Sequence, residues 1–238
     1  MKTKFLSALL FAVAFTLITG VAYAKKKPVM GVDEFRNDTR ASWWRTGVGS
    51  ELAGMLTNEL ASNGKFKMVE RKKLKSALRE QDLGASGRIR KGTAAKVGKL
   101  TGAQYLVMAT VSSYEEGTSK RGGGFSFKGI SIGGKKSKAY IAVDLRVVNT
   151  TTGDVDYFRT VEATAKSGGL SFGLSRGGFS GALGGSEKTP HGKAIRACVI
   201  EIAEYLECVM VDKGSCIADY KAKEKKRRKK TKGAISLE

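Results

Sequence analysis

Between Tyr140 and Val147, apolar and polar side chains alternate. Ile141, Val143, Leu145 and Val147 take one side, and Tyr140, Ala142, Asp144 and Arg146 take the other. A period of two marks a strand with one buried face. VDYFRTVEATA follows after the turn-rich linker NTTTGD, so the two stretches predict a strand pair. PVMGVDEF, FKMVE and QYLVMATVSSY are further β-type runs. Helical spacing appears elsewhere. Val48, Leu52, Met55, Leu56 and Leu60 form one stripe of a helix over residues 42–62, with Ser42 as N-cap and Asn63-Gly64 as stop. Trp43 and Trp44 open that helix and read as core or contact residues. A second helix, 72–82, aligns Leu74, Ala77, Leu78 and Gln81 before Gly84, and Thr93 is expected to cap a third that ends at Gly102. The last helix, 191–211, carries Ile195, Cys198, Val199, Ile202, Tyr205, Leu206 and Val209 on its apolar face. This order predicts an α/β (α+β) fold, a mixed sheet covered by helices.

Residues 117–138 and 167–186 interrupt that plan and hold 15 of the 30 glycines. Each reads as a β-hairpin insertion with one apolar face. With a two-residue turn at Lys128-Gly129, Phe127 opposes Ile130 and Phe125 opposes Ile132, while Ser126 and Ser131 share the other face. With a turn at Arg176-Gly177, Leu174 opposes Phe179, Phe172 opposes Gly181 and Leu170 opposes Leu183, while Ser171 and Ser180 lie on the reverse side. A sheet that is apolar on one side and small or polar on the other suits a membrane barrel with a wet lumen. In that reading Phe125, Phe127, Ile130, Ile132, Leu170, Phe172, Leu174, Phe179 and Leu183 face lipid, and the four serines line the lumen. Two flexible glycine loops are the plainer reading of the same segments.

The N-terminus predicts export. Lys2 and Lys4 precede an apolar run, and Ala22-Tyr23-Ala24 fits a cleavage site, so residues 1–24 read as a signal peptide. No cysteine stands at the cleavage point, where Lys25 follows Ala24, and no lipid anchor is expected. Residues 25–220 then form the α/β domain, and 221–238 a basic tail expected to be disordered. The formal charge is +21, and the tail alone holds nine basic and two acidic residues, Arg227 and Arg228 among them. Lys120, Arg121, Lys135, Lys136 and Lys138 flank the base of the first hairpin. For an exported chain such charge points to anionic lipid or a cell-wall polymer, and no nucleic acid partner is expected. Cys198 and Cys208 lie ten residues apart on one helix, about 15 Å along its axis, too far to bridge. Either one reaches Cys216 through the turn at Lys213-Gly214, and Cys198 is the better candidate for a buried thiol.

Catalytic chemistry finds little support. The sole histidine, His191, follows Pro190 at a helix start and reads as a surface residue. No serine sits in a nucleophile elbow, and no cluster has metal-ligand spacing. Gly129 to Lys136 spells G-x-x-x-x-G-K-K, but a phosphate loop needs a hydroxyl after the lysine and a helix behind it. No enzyme activity, metal or cofactor is expected.

FKMVERKKL, LREQDLGASG, AAKVGKLTGAQYLVMATV and YIAVDLRVVNTTTGDV, in that order, make the stretch from about residue 30 to 165 resemble the curli production assembly/transport (CsgG-like) family. The resemblance implies a periplasmic α/β domain that assembles into an outer-membrane ring. Each protomer lends two hairpins to a shared β-barrel through which unfolded curli subunits leave the cell. By position those hairpins correspond to Phe125–Ile132 and Leu170–Leu183. The expected partners are therefore copies of the chain in a homo-oligomeric ring, the outer membrane and a secreted protein cargo. The alternative is a soluble periplasmic accessory module that contacts an acidic envelope polymer or partner protein without forming a pore.

Overall fold

A computed structural model of the protein describes residues 26–71, 73–120, 126–127, 130–131, 135–166 and 189–234. Its strands are β1 (Val29–Val32), β2 (Arg36–Asn37), β3 (Lys67–Met68), β4 (Tyr105–Lys120), β5 (Ser126–Phe127), β6 (Ile130–Ser131), β7 (Lys135–Asn149) and β8 (Val155–Lys166). Its helices are α1 (Val48–Ser62), α2 (Leu74–Ala85), α3 (Pro190–Leu206), which continues as a π-helical turn over Glu207–Asp212, and α4 (Cys216–Gly233). Six strands form one mixed sheet in the order β3-β1-β4-β7-β8, with β2 also on β4. β1 is parallel to β3 and β4, while β7 lies antiparallel between β4 and β8. The sheet is open. It is the mixed α/β layer that the alternating patterns predict.

The alternation of β7 becomes a buried face: Ile141, Val143, Leu145 and Val147 meet Val107, Ala109 and Val111 of β4 and Val161 of β8 in one core. α1 and α3 supply the other half through Leu52, Leu56, Leu60, Ile195, Val199, Ile202 and Leu206. β1 is buried along its whole length, so its sequence VMGV does not alternate. Gly49 lets α1 approach closely, since a Cβ there would collide with the carbonyl oxygen of Phe35. α3 begins on Thr189, whose hydroxyl accepts from the Gly192 amide at 3.2 Å, with Pro190 in the first turn.

Four expectations need correction. The first helix starts at Val48 rather than Ser42, because Gly47 takes φ 94° and breaks the turn there. Trp43 and Trp44 precede it and pack partly buried against the core. Residues 93–102 form turns instead of a helix. Gly98, at φ 75°, interrupts the run. α2 exists over Leu74–Ala85, but of its stripe only Gln81 is buried, and Leu78 stays 41% exposed. The basic tail is helical to Gly233, not disordered. Cys208 and Cys216 form a disulfide that ties α4 to the end of α3, and Cys198 is free and buried. Burial pushes the Cys198 thiol up to about 12.

Candidate interface at one end of the sheet

β4 and β7 are the two longest strands. β4 and β7 pair continuously from Tyr105↔Asn149 to Lys120↔Lys135, and β8 follows β7 as far as Lys138↔Lys166. Residue 121 follows β4 and residue 167 follows β8, so both glycine-rich segments begin at the same end of the sheet. Beyond that end, β5 and β6 pair Ser126↔Ser131 and Phe127↔Ile130, the register expected for the first hairpin. Phe125, Ile132, Arg121 and the second-hairpin residues Leu170, Ser171, Phe172, Leu174, Phe179, Ser180 and Leu183 lie outside the described residues.

A β-bulge interrupts β4 toward this end of the core. Val111 pairs with Val143, but Ser113 pairs with Ala142, so Ser112 is an extra residue on β4. The shift puts Tyr114 opposite Ile141 on the core side. Its ring meets Trp43 edge-on at 5.7 Å, and Trp43 stacks on His191 at 5.9 Å with planes 6° apart. His191 is therefore a half-buried aromatic partner rather than a free surface residue, and burial lowers its pKa against the opposing pull of Glu116. Tyr114 Oη donates to Glu116 Oε2 at 2.6 Å. Burial and that carboxylate both push the phenol well up. This aromatic cluster closes the core just below the strand extension.

Past the bulge Ile141 and Ala139 are still fully buried, and the character changes from apolar to charged from the Gly117↔Lys138 row onward. Backbone pairing sets Lys120 opposite Lys135, Ser119 opposite Lys136, and Lys138 between Gly117 and Lys166. Lys138 and Lys166 are exposed. The first four lysines are those that the sequence places at the hairpin base. Lys166 was missed, although its place at the end of VDYFRTVEATAK, just before the second glycine-rich segment, was the available signal. Like charges directly across strands are unfavourable by themselves.

α4 stands beside this end of the sheet. Arg159 of β8 donates from Nη1 to the Tyr220 carbonyl at 3.2 Å, and its Cζ lies 4.7 Å from the Tyr220 ring centre and 5.3 Å from that of Tyr205. Farther along, Arg227 reaches Glu162 at 3.7 Å and Glu224 at 2.8 Å, and Arg228 also meets Glu224, at 2.7 Å. These bonds from Arg227 first, then Arg228, hold the Glu224 carboxyl down at about 2. An open cleft of about 910 Å³ lies between α4 and the β7–β8 edge, lined by Asp144, Arg146, Phe158, Tyr205 and Ile217 among others. Phe158 is 66% exposed there. Among the described residues, no group of His, Cys, Asp or Glu is arranged to hold a metal ion, and no helix is long and apolar enough to cross a membrane.

An open mixed sheet with helices on its core face, extended at one end toward two glycine-rich segments, defines the class of this protein. The profile of the family described as curli production assembly/transport component CsgG matches residues 11–235, and the chain belongs to that family. No curated protein matches the chain in sequence. Among solved structures it is similar to the hypothetical protein CT253 from Chlamydia trachomatis, at 14% identity and TM-score 0.44, over 77% of this chain and 97% of that one. It is also similar to the PelC dodecamer from Paraburkholderia phytofirmans (12% identity, TM-score 0.37, 74% of this chain and 86% of that one). The LpoB C-terminal domain from Escherichia coli is a third, at 17% identity and TM-score 0.31, over 63% of this chain and 91% of that one.

Proposed function

We propose that this protein is an exported outer-membrane component of a secretion system, acting as a homo-oligomeric conduit for unfolded protein subunits. Each copy contributes its two glycine-rich segments to a shared barrel. Their serines and glycines line a wet lumen, and their Phe, Leu and Ile positions meet lipid. Closure into a ring also satisfies strand edges that hydrocarbon does not tolerate open. The role is passage of an extended chain, not catalysis. Membership of the CsgG family supports this reading. The single observation that carries it is the common departure point: β4, β7 and β8 run in register to one end of the sheet, where both segments begin.

The test is a charge on the apolar face. Phe172→Asp is expected to weaken membrane assembly if the side chain meets hydrocarbon near the midplane, by less than the about 2–4 kcal/mol that a lysine costs there. Detergent-extracted, ring-sized oligomer is then lost while the folded body persists. Unchanged assembly of that variant removes the conduit. A second reading, a soluble accessory module, is favoured by one feature: the cleft beside α4 with Phe158 exposed in it. That reading expects a salt-extractable monomer that needs no detergent.

A further inference from the structure

α4 is an unusual helix to keep beside a sheet. It has no buried residue, and it carries like charges four residues apart at Lys221–Lys225, Lys225–Lys229, Lys226–Lys230 and Arg228–Lys232. Such pairs disfavour a helix by themselves. Its hold comes from the Cys208–Cys216 disulfide at its start, from the Lys223–Glu201 and Tyr220–Tyr205 contacts with α3, and, on β8, from the Arg159–Tyr220 and Arg227–Glu162 contacts. The two contacts with β8 also fix its course. Arg159 to Glu162 covers about 10 Å of strand, and Tyr220 to Arg227 covers about 10 Å of helix. α4 therefore climbs beside β8 in the same direction. Five residues beyond Arg227, about 7.5 Å farther on, Lys232 is level with Thr164. Along the strand, the row formed by Lys138 and Lys166 lies two residues, roughly 7 Å, beyond Thr164.

Two separate parts of the chain thus bring cations to one level. Lys229, Lys230 and Lys232 of α4 are exposed and make no ion pair among the described residues, and the same holds for Lys138 and Lys166 at the sheet end. Of the nearby carboxylates, Glu162 and Glu224 are engaged by Arg227 and Glu116 accepts from Tyr114, which leaves Glu115, opposite Tyr140, one row below Lys138 on that face. What remains is a cationic rim at the height where the strands leave the body. We propose that this rim, α4 together with the lysines at the ends of β7 and β8, is a docking surface for the phosphate headgroups of anionic lipids. It rests on the reading above for one point, that the segments beyond the rim enter a bilayer, which sets the headgroup layer at the rim itself. Lysines on long stems suit that layer. A membrane phosphate surface also relieves the repulsion that the helix and the strand ends carry alone.

Vesicle sedimentation of the full exported chain tests it. The vesicles are phosphatidylglycerol mixed one to three with phosphatidylcholine, compared with phosphatidylcholine alone, at low and high salt. The variants are Lys229→Gln/Lys230→Gln/Lys232→Gln and Lys138→Gln/Lys166→Gln, each with its Lys→Arg counterpart. The triple Gln variant is expected to lower partition to the anionic vesicles on the order of 100-fold, and the double variant about 30-fold. The Arg counterparts retain binding, and high salt abolishes the difference. Wild-type partition by both Gln variants overturns the proposal. So does equal loss on phosphatidylcholine alone. Loss of binding to soluble polyphosphate with vesicle binding unchanged also overturns it, and assigns the rim to a free polyanion. Failure here is separable from failure of the conduit. Phe172→Asp abolishes rings without touching the rim, whereas the lysine variants alter salt-sensitive vesicle binding whether or not rings form.

Discussion

α3 and α4 are neighbouring helices of similar length joined through one disulfide, yet they are stabilised in opposite ways. α3 buries Ala194, Ile195, Cys198, Val199, Ile202, Ala203 and Leu206 against the sheet. α4 buries none and is held by a covalent link, one stacked arginine and a small ion network. Removing apolar area from water stabilises the first at about 25 cal/mol per Å². The second depends on contacts that water and salt weaken. The body is thus built to hold its shape, and the helix at its edge to present charge.

The contrast is broken most directly in α3. Leu206→Ala is expected to lower stability by about 2–5 kcal/mol, read from urea unfolding, whereas Lys226→Ala in α4 stays within about 0.5 kcal/mol. Similar losses at both positions would mean that α4 packs as α3 does. Next in size is Cys208→Ser with Cys216→Ser, which opens a loop of sequence separation 8. A chain-entropy account assigns that link about 2.5 kcal/mol. Amide exchange should quicken through α4 and leave α3 protected. Smallest is the effect of acid on Glu224. Because its carboxyl is held down at about 2, its pairing supports α4 in full above the ordinary value of about 4.3. That support fades as pH falls toward 2. Helix content lost from α4 in that window, and retained in Glu224→Gln, which carries no proton there, checks the sign.

Where the chain's periodicity met a buried partner, the fold was legible. The alternation from Ile141 to Val147 and the stripe from Ile195 to Leu206 both became core, because burial on one face is what imposes the period. The pairing Phe127↔Ile130 was legible for a related reason: a two-residue turn leaves one register that sorts apolar from polar. The misses share a different cause. Gly47 and Gly98 adopt left-handed backbone that no count of apolar spacing records. α4 has charge without amphipathicity, and its anchors, Arg159 and Glu162, lie some sixty residues away in sequence. At the candidate interface, four of the lysines were visible as a cluster. The fifth, Lys166, joins them only through the register of β7 with β8.

Ser112 has an effect out of proportion to its size. By occupying one additional place on β4 while β7 runs on unbroken, it reverses which side chains of the outgoing strand look toward the helices. β7 keeps its own alternation across the same level, from Val147 to Ala139, so β4 alone changes phase. One added residue thus re-aims the outgoing strand while the buried face of its partner stays fixed.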